Sequence, residues 1–74
     1  MNTIPNTIRE HRERIGWTQL QLAHYLGLQT RDRISRWENG LTYPHVENLL
    51  PLLDLFGVTG RELYPRVELI NNRC

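Results

Sequence analysis

This sequence predicts an all-α fold, a compact bundle of five short helices, on three observations. Apolar residues recur at three- and four-residue spacing in successive blocks; threonines able to cap free amides open three of those blocks, at Thr18, Thr30 and Thr59; and glycines close four of them, at 16, 27, 40 and 57. With 74 residues the chain is sized for one domain, expected over residues 1–65, followed by a tail at 66–74.

The first helix is expected from about Asn6 to Ile15. Pro5 precedes it, Ile8 and Ile15 share a stripe, and Gly16 stops it. Its outer face carries Arg9 with Glu13 and Glu10 with Arg14, i,i+4 pairs that read as a solvated surface. Thr18 opens the second helix in a capping box with Gln21; Leu20, Leu22, Ala23 and Leu26 fall at helical spacing, and Gly27 ends it. Leu28 and Gln29 turn the chain, and Thr30 is the expected N-cap of a third helix reaching Asn39, with Asp32 near its positive end and Ile34 and Trp37 facing inward. Two short helices joined by a tight, glycine-containing turn carry the helix-turn-helix pattern, whose second helix is the reader of nucleic acid.

Beyond the loop Leu41–Pro44 a fourth helix spans Val46 to Phe56, with Val46, Leu49, Leu50, Leu53 and Phe56 as the buried stripe. Pro51 removes the amide that would bond the Glu47 carbonyl, which predicts a kink or a later effective start. His45, beside Pro44, is a candidate substitute cap. Thr59 and Glu62 form a second capping box opening a fifth helix, and Pro65 closes it.

Composition narrows the function classes. No apolar run approaches the roughly 20 residues of a bilayer span, and the start of the chain is charged rather than signal-like, so a cytoplasmic protein without membrane contact is expected. The one cysteine, Cys74, excludes a disulfide framework and a zinc cluster. His11, His24 and His45 lie on separate elements without carboxylates or cysteines at ligand spacing, and no nucleophile and base are paired; neither a metal, a cofactor nor an enzymatic activity is expected. The net charge of +1 is uneven: residues 1–40 hold six arginines against four acids, residues 41–74 three against four. All the basic residues are arginine, the side chain suited to bidentate contacts with phosphate or guanine.

From Ile8 to Tyr64 the chain resembles the Xre/Cro, lambda-repressor-like helix-turn-helix family. The resemblance rests on TQxxLA at Thr18–Ala23, on LG at Leu26–Gly27, on ISRWENG at Ile34–Gly40 and on Phe56-Gly57-Val58. It implies a five-helix bundle that binds operator DNA, commonly as a dimer. On matched positions it implies a phosphate contact and a brace of the reader helix at Gln19, base contacts at Arg31, Asp32 and Arg36, an ion pair between Arg12 and Glu38, and a phosphate contact at Asn39 and Gly40. Two departures stand out. Six residues rather than five separate Gly27 from Ile34, which leaves Arg31 and Arg33 competing for the first base-reading place. The loop after Gly40 is neutral, where relatives are often basic.

The side chains agree with that role. Arginine bidentate to guanine is the commonest specific major-groove contact, and Arg31 and Arg36 are the favoured readers. Asp32 reads either as an acceptor for cytosine or as a helix-start acid and partner of Arg36. Thr18, Gln19, Thr30 and Ser35 are expected to touch phosphates, and Trp17 and Trp37 to lie in the core. The sequence reading is therefore a homodimeric, sequence-specific regulator on double-stranded DNA, repressing by occlusion, since so short a chain leaves no room for an effector domain. An antitoxin that covers a toxin and binds its own promoter, and a protein-interaction module that keeps the fold, are the rivals. Val58, Leu63, Tyr64, Val67, Leu69 and Ile70 are the expected dimer surface, because they exceed what a small core would absorb.

Overall fold

The computed structural model describes residues 3–67, which form five helices in order: α1 (Ile8–Arg14), α2 (Gln19–Tyr25), α3 (Asp32–Glu38), α4 (Val46–Phe56) and α5 (Gly60–Leu63). No strand occurs among the described residues.

α1 begins two residues later than expected because Asn6 serves as its anchor. Asn6 Oδ1 accepts from the Ile8 amide at 3.1 Å, while Nδ2 donates to the carbonyls of Ile4 at 3.0 Å and Trp37 at 2.8 Å. Ile8 is buried, and the next position on its stripe is Arg12, also buried; Ile15, at the C-cap, swings outward. Neither expected i,i+4 pair forms, since Arg9 reaches across to Glu38 instead.

α2 opens with the predicted capping box: Thr18 Oγ1 accepts from the Gln21 amide at 3.1 Å and Gln21 Oε1 accepts from the Thr18 amide at 2.8 Å. Leu22 and Ala23 are buried, whereas Leu20 is exposed. At about 100° per residue, Leu20 and Leu22 are about 200° apart and cannot share one face.

α4 runs unbroken from Val46 through Pro51, so the proline does not delay its start. Its buried face differs from the expected stripe. Leu52 and Asn48 are buried and Leu49, Leu53, Leu55 and Phe56 partly so, but Val46 and Leu50 are 65% and 56% exposed. Leucines occupy so much of this helix's circumference that spacing alone does not set its rotation. His45 stands at the N-cap, yet its side chain makes no capping bond.

α5 is a single turn held by the second capping box, with Thr59 Oγ1 accepting from the Glu62 amide at 3.2 Å. The Thr7 amide donates to the Leu63 carbonyl at 3.0 Å and ties α5 to the start of α1. The core consists of Ile8, Leu22, Ala23, Ile34, Trp37, Leu52, Leu63 and Tyr64. This corrects two members of the expected dimer surface: Leu63 is 0% exposed and Tyr64 is buried, so both belong to the core of the monomer. Val58 and Val67 pack partly against that core, and Leu69 and Ile70 lie outside the described residues. The Tyr64 hydroxyl is enclosed without a hydrogen-bond partner among the described residues. Burial, reinforced by Tyr43, pushes its pKa up to about 12.

Candidate nucleic-acid interface

α3 starts at Asp32 with Arg31, not Thr30, at the N-cap position. The Thr30 hydroxyl still accepts from the Asp32 amide, at 3.4 Å, so the extra residue of the turn is absorbed by moving the cap one place along. Ile34 and Trp37 point into the core and fix the helix's rotation. At about 100° per residue, Asp32, Ser35 and Arg36 then lie opposite the core, and Arg31 and Arg33, about 200° apart, occupy opposite flanks. Arg31, Asp32, Arg33 and Arg36 are all exposed, and Ser35 is partly so. Asp32 forms no ion pair with Arg36 among the described residues, which leaves both side chains available to a ligand.

The two flanks have different surroundings. On the Arg31 side lies Glu38, whose side chain is 0% exposed. It gathers four donors from three side chains: Arg12 Nε to Oε2 at 2.6 Å and Nη2 to Oε1 at 3.2 Å, Gln19 Nε2 to Oε1 at 2.9 Å, and Arg9 Nε to Oε1 at 3.2 Å. Arg12 also donates through Nη1 to the Trp17 carbonyl at 2.7 Å. One carboxylate thereby joins α1, the α1–α2 turn and α2 to the end of α3. Burial pushes the Glu38 carboxyl upward, but the hydrogen bonds from Arg12 and Gln19, the charge of Arg12 and the hydrogen bond from Arg9 outweigh it, holding it below the usual carboxylate range. The hydrogen bond to Glu38 raises Arg12 above its ordinary value despite burial.

Gln19 therefore braces α3 directly. Asn39 is held at both ends of its amide, donating to Ser35 Oγ at 3.3 Å and accepting from Arg9 Nη2 at 3.4 Å. Thr18 is exposed, with its hydroxyl engaged in the α2 cap. Gly40 has φ +75°, and a Cβ there would stand 2.6 Å from both the backbone N and the backbone O of Ile4. Ile4 N donates to the Gly40 carbonyl at 2.8 Å, so the N-terminal arm closes over the end of α3.

On the Arg33 side a cleft of ≈ 210 Å³ separates α3 from the start of α4, lined by Arg33, Arg36, Trp37, Thr42, Tyr43, His45 and Asn48. Sequence reasoning passed over Arg9, Asn6 and Asn48. The first two act on residues about thirty positions away, which no local pattern reports, and Asn48 stood inside a helix read for its leucines. No three histidine, cysteine, aspartate or glutamate side chains gather to hold a metal among the described residues, and no described helix is long and apolar enough to cross a membrane.

A family model described as Helix-turn-helix matches residues 8–63. The chain belongs to this family, in its Xre/Cro form. Among curated proteins it is 45% identical over 53 residues to the HTH-type transcriptional activator BcrR of Enterococcus faecalis, covering 72% of this chain and 26% of that relative. The chain thus spans about a quarter of that protein's length. No solved structure matches it significantly. In the helix-turn-helix arrangement, α2 is the first helix, residues 26–31 are the turn and α3 is the second helix.

Proposed function

We propose that this helix-turn-helix chain is a sequence-specific DNA-binding transcription regulator that places α3 in the major groove. The observation carrying this reading is the outward face of α3, where Asp32, Ser35 and Arg36, flanked by Arg31, stand exposed on a helix fixed by Ile34, Trp37 and Glu38. Arg31 and Arg36 are the base readers, and Thr18, Gln19, Thr30, Ser35 and Asn39 are the phosphate contacts that set register; Gly40, expected among them, is buried with its amide bonded to the Trp37 carbonyl and its carbonyl to the Ile4 amide, and drops out. The likeness to the transcriptional activator BcrR supports a role in transcription.

The finer reading is a cytoplasmic homodimer on an inverted repeat, with half-sites about one helical turn, roughly 34 Å, apart. With Leu63 and Tyr64 withdrawn into the core, the pairing surface moves to the exposed Val46 and Leu50 of α4 with Tyr43. Repression by occlusion remains the proposed output. A promoter reporter tests its sign, and higher expression with the protein present would make it an activator like the relative.

The deciding experiment is selection of bound sequences from a random DNA pool, followed by competition of the enriched site against random duplex. Arg31→Ala with Arg36→Ala should abolish preference for the enriched site with an almost unchanged melting temperature. Specific binding that survives the double change would sink this choice of readers.

A further inference from the structure

Asn39 and Gly40 form the one Asn–Gly pair in the sequence, and the fold sets it at the joint between α3 and the N-terminal arm. Such a pair carries a reaction of its own. Glycine has no Cβ to shield its amide, so its nitrogen approaches the preceding side chain more freely than that of any other residue. In mildly alkaline water the Gly40 nitrogen gives up its proton and attacks the Asn39 Cγ. The bond from Cγ to Nδ2 breaks, ammonia leaves and a cyclic succinimide remains. Water then opens the ring at either carbonyl. One opening gives aspartate at position 39; the other gives an isoaspartyl link, in which the backbone runs through Cβ and Cγ.

The folded chain keeps the reacting atoms apart. Asn39 has ψ 1°, which turns the Gly40 nitrogen toward the Asn39 nitrogen and away from the Cβ that bears the carboxamide. The Gly40 amide donates to the Trp37 carbonyl at 3.0 Å, the Leu41 amide to the Arg36 carbonyl at 2.9 Å, and the Ile4 amide to the Gly40 carbonyl at 2.8 Å. The carboxamide is held as well, between Ser35 Oγ and Arg9 Nη2. Bringing the Gly40 nitrogen onto Cγ breaks these backbone bonds together, so the reaction waits on an opening of the last turn of α3. Asn39 itself is exposed, and water reaches it as soon as that turn opens.

We propose that Asn39–Gly40 is a gated deamidation site, closed while the N-terminal arm lies over the end of α3 and reactive when that closure opens, and that the isoaspartyl product keeps it open. The joint has no room for a longer backbone. A Cβ built on Gly40 stands 2.6 Å from the backbone N and O of Ile4, so an extra main-chain carbon immediately before Gly40 displaces the arm. Either product also puts a carboxylate at the C-cap of α3, the end where the helix dipole disfavours negative charge. One consequence rests on α3 being a DNA reader: the reaction replaces an amide donor at a phosphate contact by a negative charge.

The test incubates the whole chain in mildly alkaline buffer, folded and in guanidinium chloride, and follows position 39 by peptide mass mapping and an isoaspartate-specific methylation assay. The unfolded chain should convert, and the folded parent at least about tenfold more slowly, as a locally opened state of low population requires. The Asn6 amide holds the Trp37 carbonyl from 31 residues away, so Asn6→Ala should speed conversion of the folded chain about fivefold, the worth of one hydrogen bond. Gly27→Ala, which strains the end of α2 instead, should leave the folded rate within about twofold, because it does not touch the local opening. Should Asn6→Ala fail to fold, Ile4→Pro, which deletes the amide bonded to the Gly40 carbonyl, takes its place. A folded rate equal to the unfolded one, equal acceleration by the arm variant and Gly27→Ala, or an unaltered rate in the arm variant overturns the gate. An unfolded chain that gains no isoaspartate at position 39 overturns the site. Converted chain should bind the enriched duplex more weakly than the parent; equal binding refutes the phosphate contact at Asn39, whereas the conversion rates judge the gate whether or not the chain binds DNA.

Discussion

Removing Arg12 should cost this domain a large part of its stability. The Glu38 carboxylate has no solvent contact, and Arg12 is its shortest partner at 2.6 Å. Arg12→Ala leaves that charge buried with only the neutral Gln19 amide and the half-exposed Arg9. Breaking a buried pair by deleting one partner costs about 3 to 5 kcal/mol. A domain of this length has a total of roughly 4 to 11 kcal/mol, so the loss is near half of it. At about 4 to 8 °C per kcal/mol for so small a domain, the melting temperature should fall by at least about 12 °C. Urea titration followed by circular dichroism measures the loss as a drop in midpoint at constant slope. Replacing both partners by apolar groups, Arg12→Met with Glu38→Leu, removes the stranded charge and should return stability to within about 1.5 kcal/mol of the parent. An Arg12→Ala chain within 1 kcal/mol of the parent (about a fivefold change in the folding constant), or a double variant as damaged as the two single changes combined, would refute the argument.

The other predictions draw on the same geometry. Since Glu38 titrates below its unfolded value, its contribution is present above the unfolded carboxylate pKa and lost as pH falls through its folded pKa; the acid side of a stability-against-pH curve should flatten in Glu38→Gln. Tyr64 titrates above its unfolded value, so stability held below about pH 10 should decline as pH rises toward about 12. Tyr64→Phe should abolish that decline, and at neutral pH chemical denaturation should find it no less stable, since the hydroxyl it loses has no partner. Gly40→Ala and Gly27→Ala both force alanine into the left-handed region at about 1 to 2 kcal/mol, but only Gly40 also meets the Ile4 backbone. Thermal melts should therefore rank Gly40→Ala clearly below Gly27→Ala, and equal losses would deny the arm's closure over α3.

What the sequence disclosed is what local chemistry controls. Thr18 with Gln21 and Thr59 with Glu62 announce their capping boxes because each pair lies within one turn, and Ile34 with Trp37 sets α3's inner face because the residues around them are polar. Phase failed where polarity gave no contrast: Leu49 through Phe56 holds apolar residues around most of α4, so Val46 and Leu50 were assigned to a core that takes Asn48 and Leu52. Two residues expected on a dimer surface, Leu63 and Tyr64, likewise belong to that core. The Arg12–Glu38 pair was indicated by resemblance to a family, as nothing in the spacing of two residues 26 apart predicts contact. The Arg9 and Gln19 bonds to the same carboxylate complete a cluster visible only once α1, α2 and α3 are assembled.

The arm that crosses Gly40 limits how this protein can be engineered. α3 has seven residues, too few to hold a helix in water without support. Its last turn borrows that support from the opposite end of the chain: Asn6 holds the Trp37 carbonyl, and Ile4 the Gly40 carbonyl. A graft of residues 18–40 onto another scaffold would carry every proposed base reader and leave behind the bonds that stop the helix fraying. The portable unit begins at Ile4, and new specificity is better written into Arg31, Asp32 and Arg36 in place than transplanted with the helix that bears them.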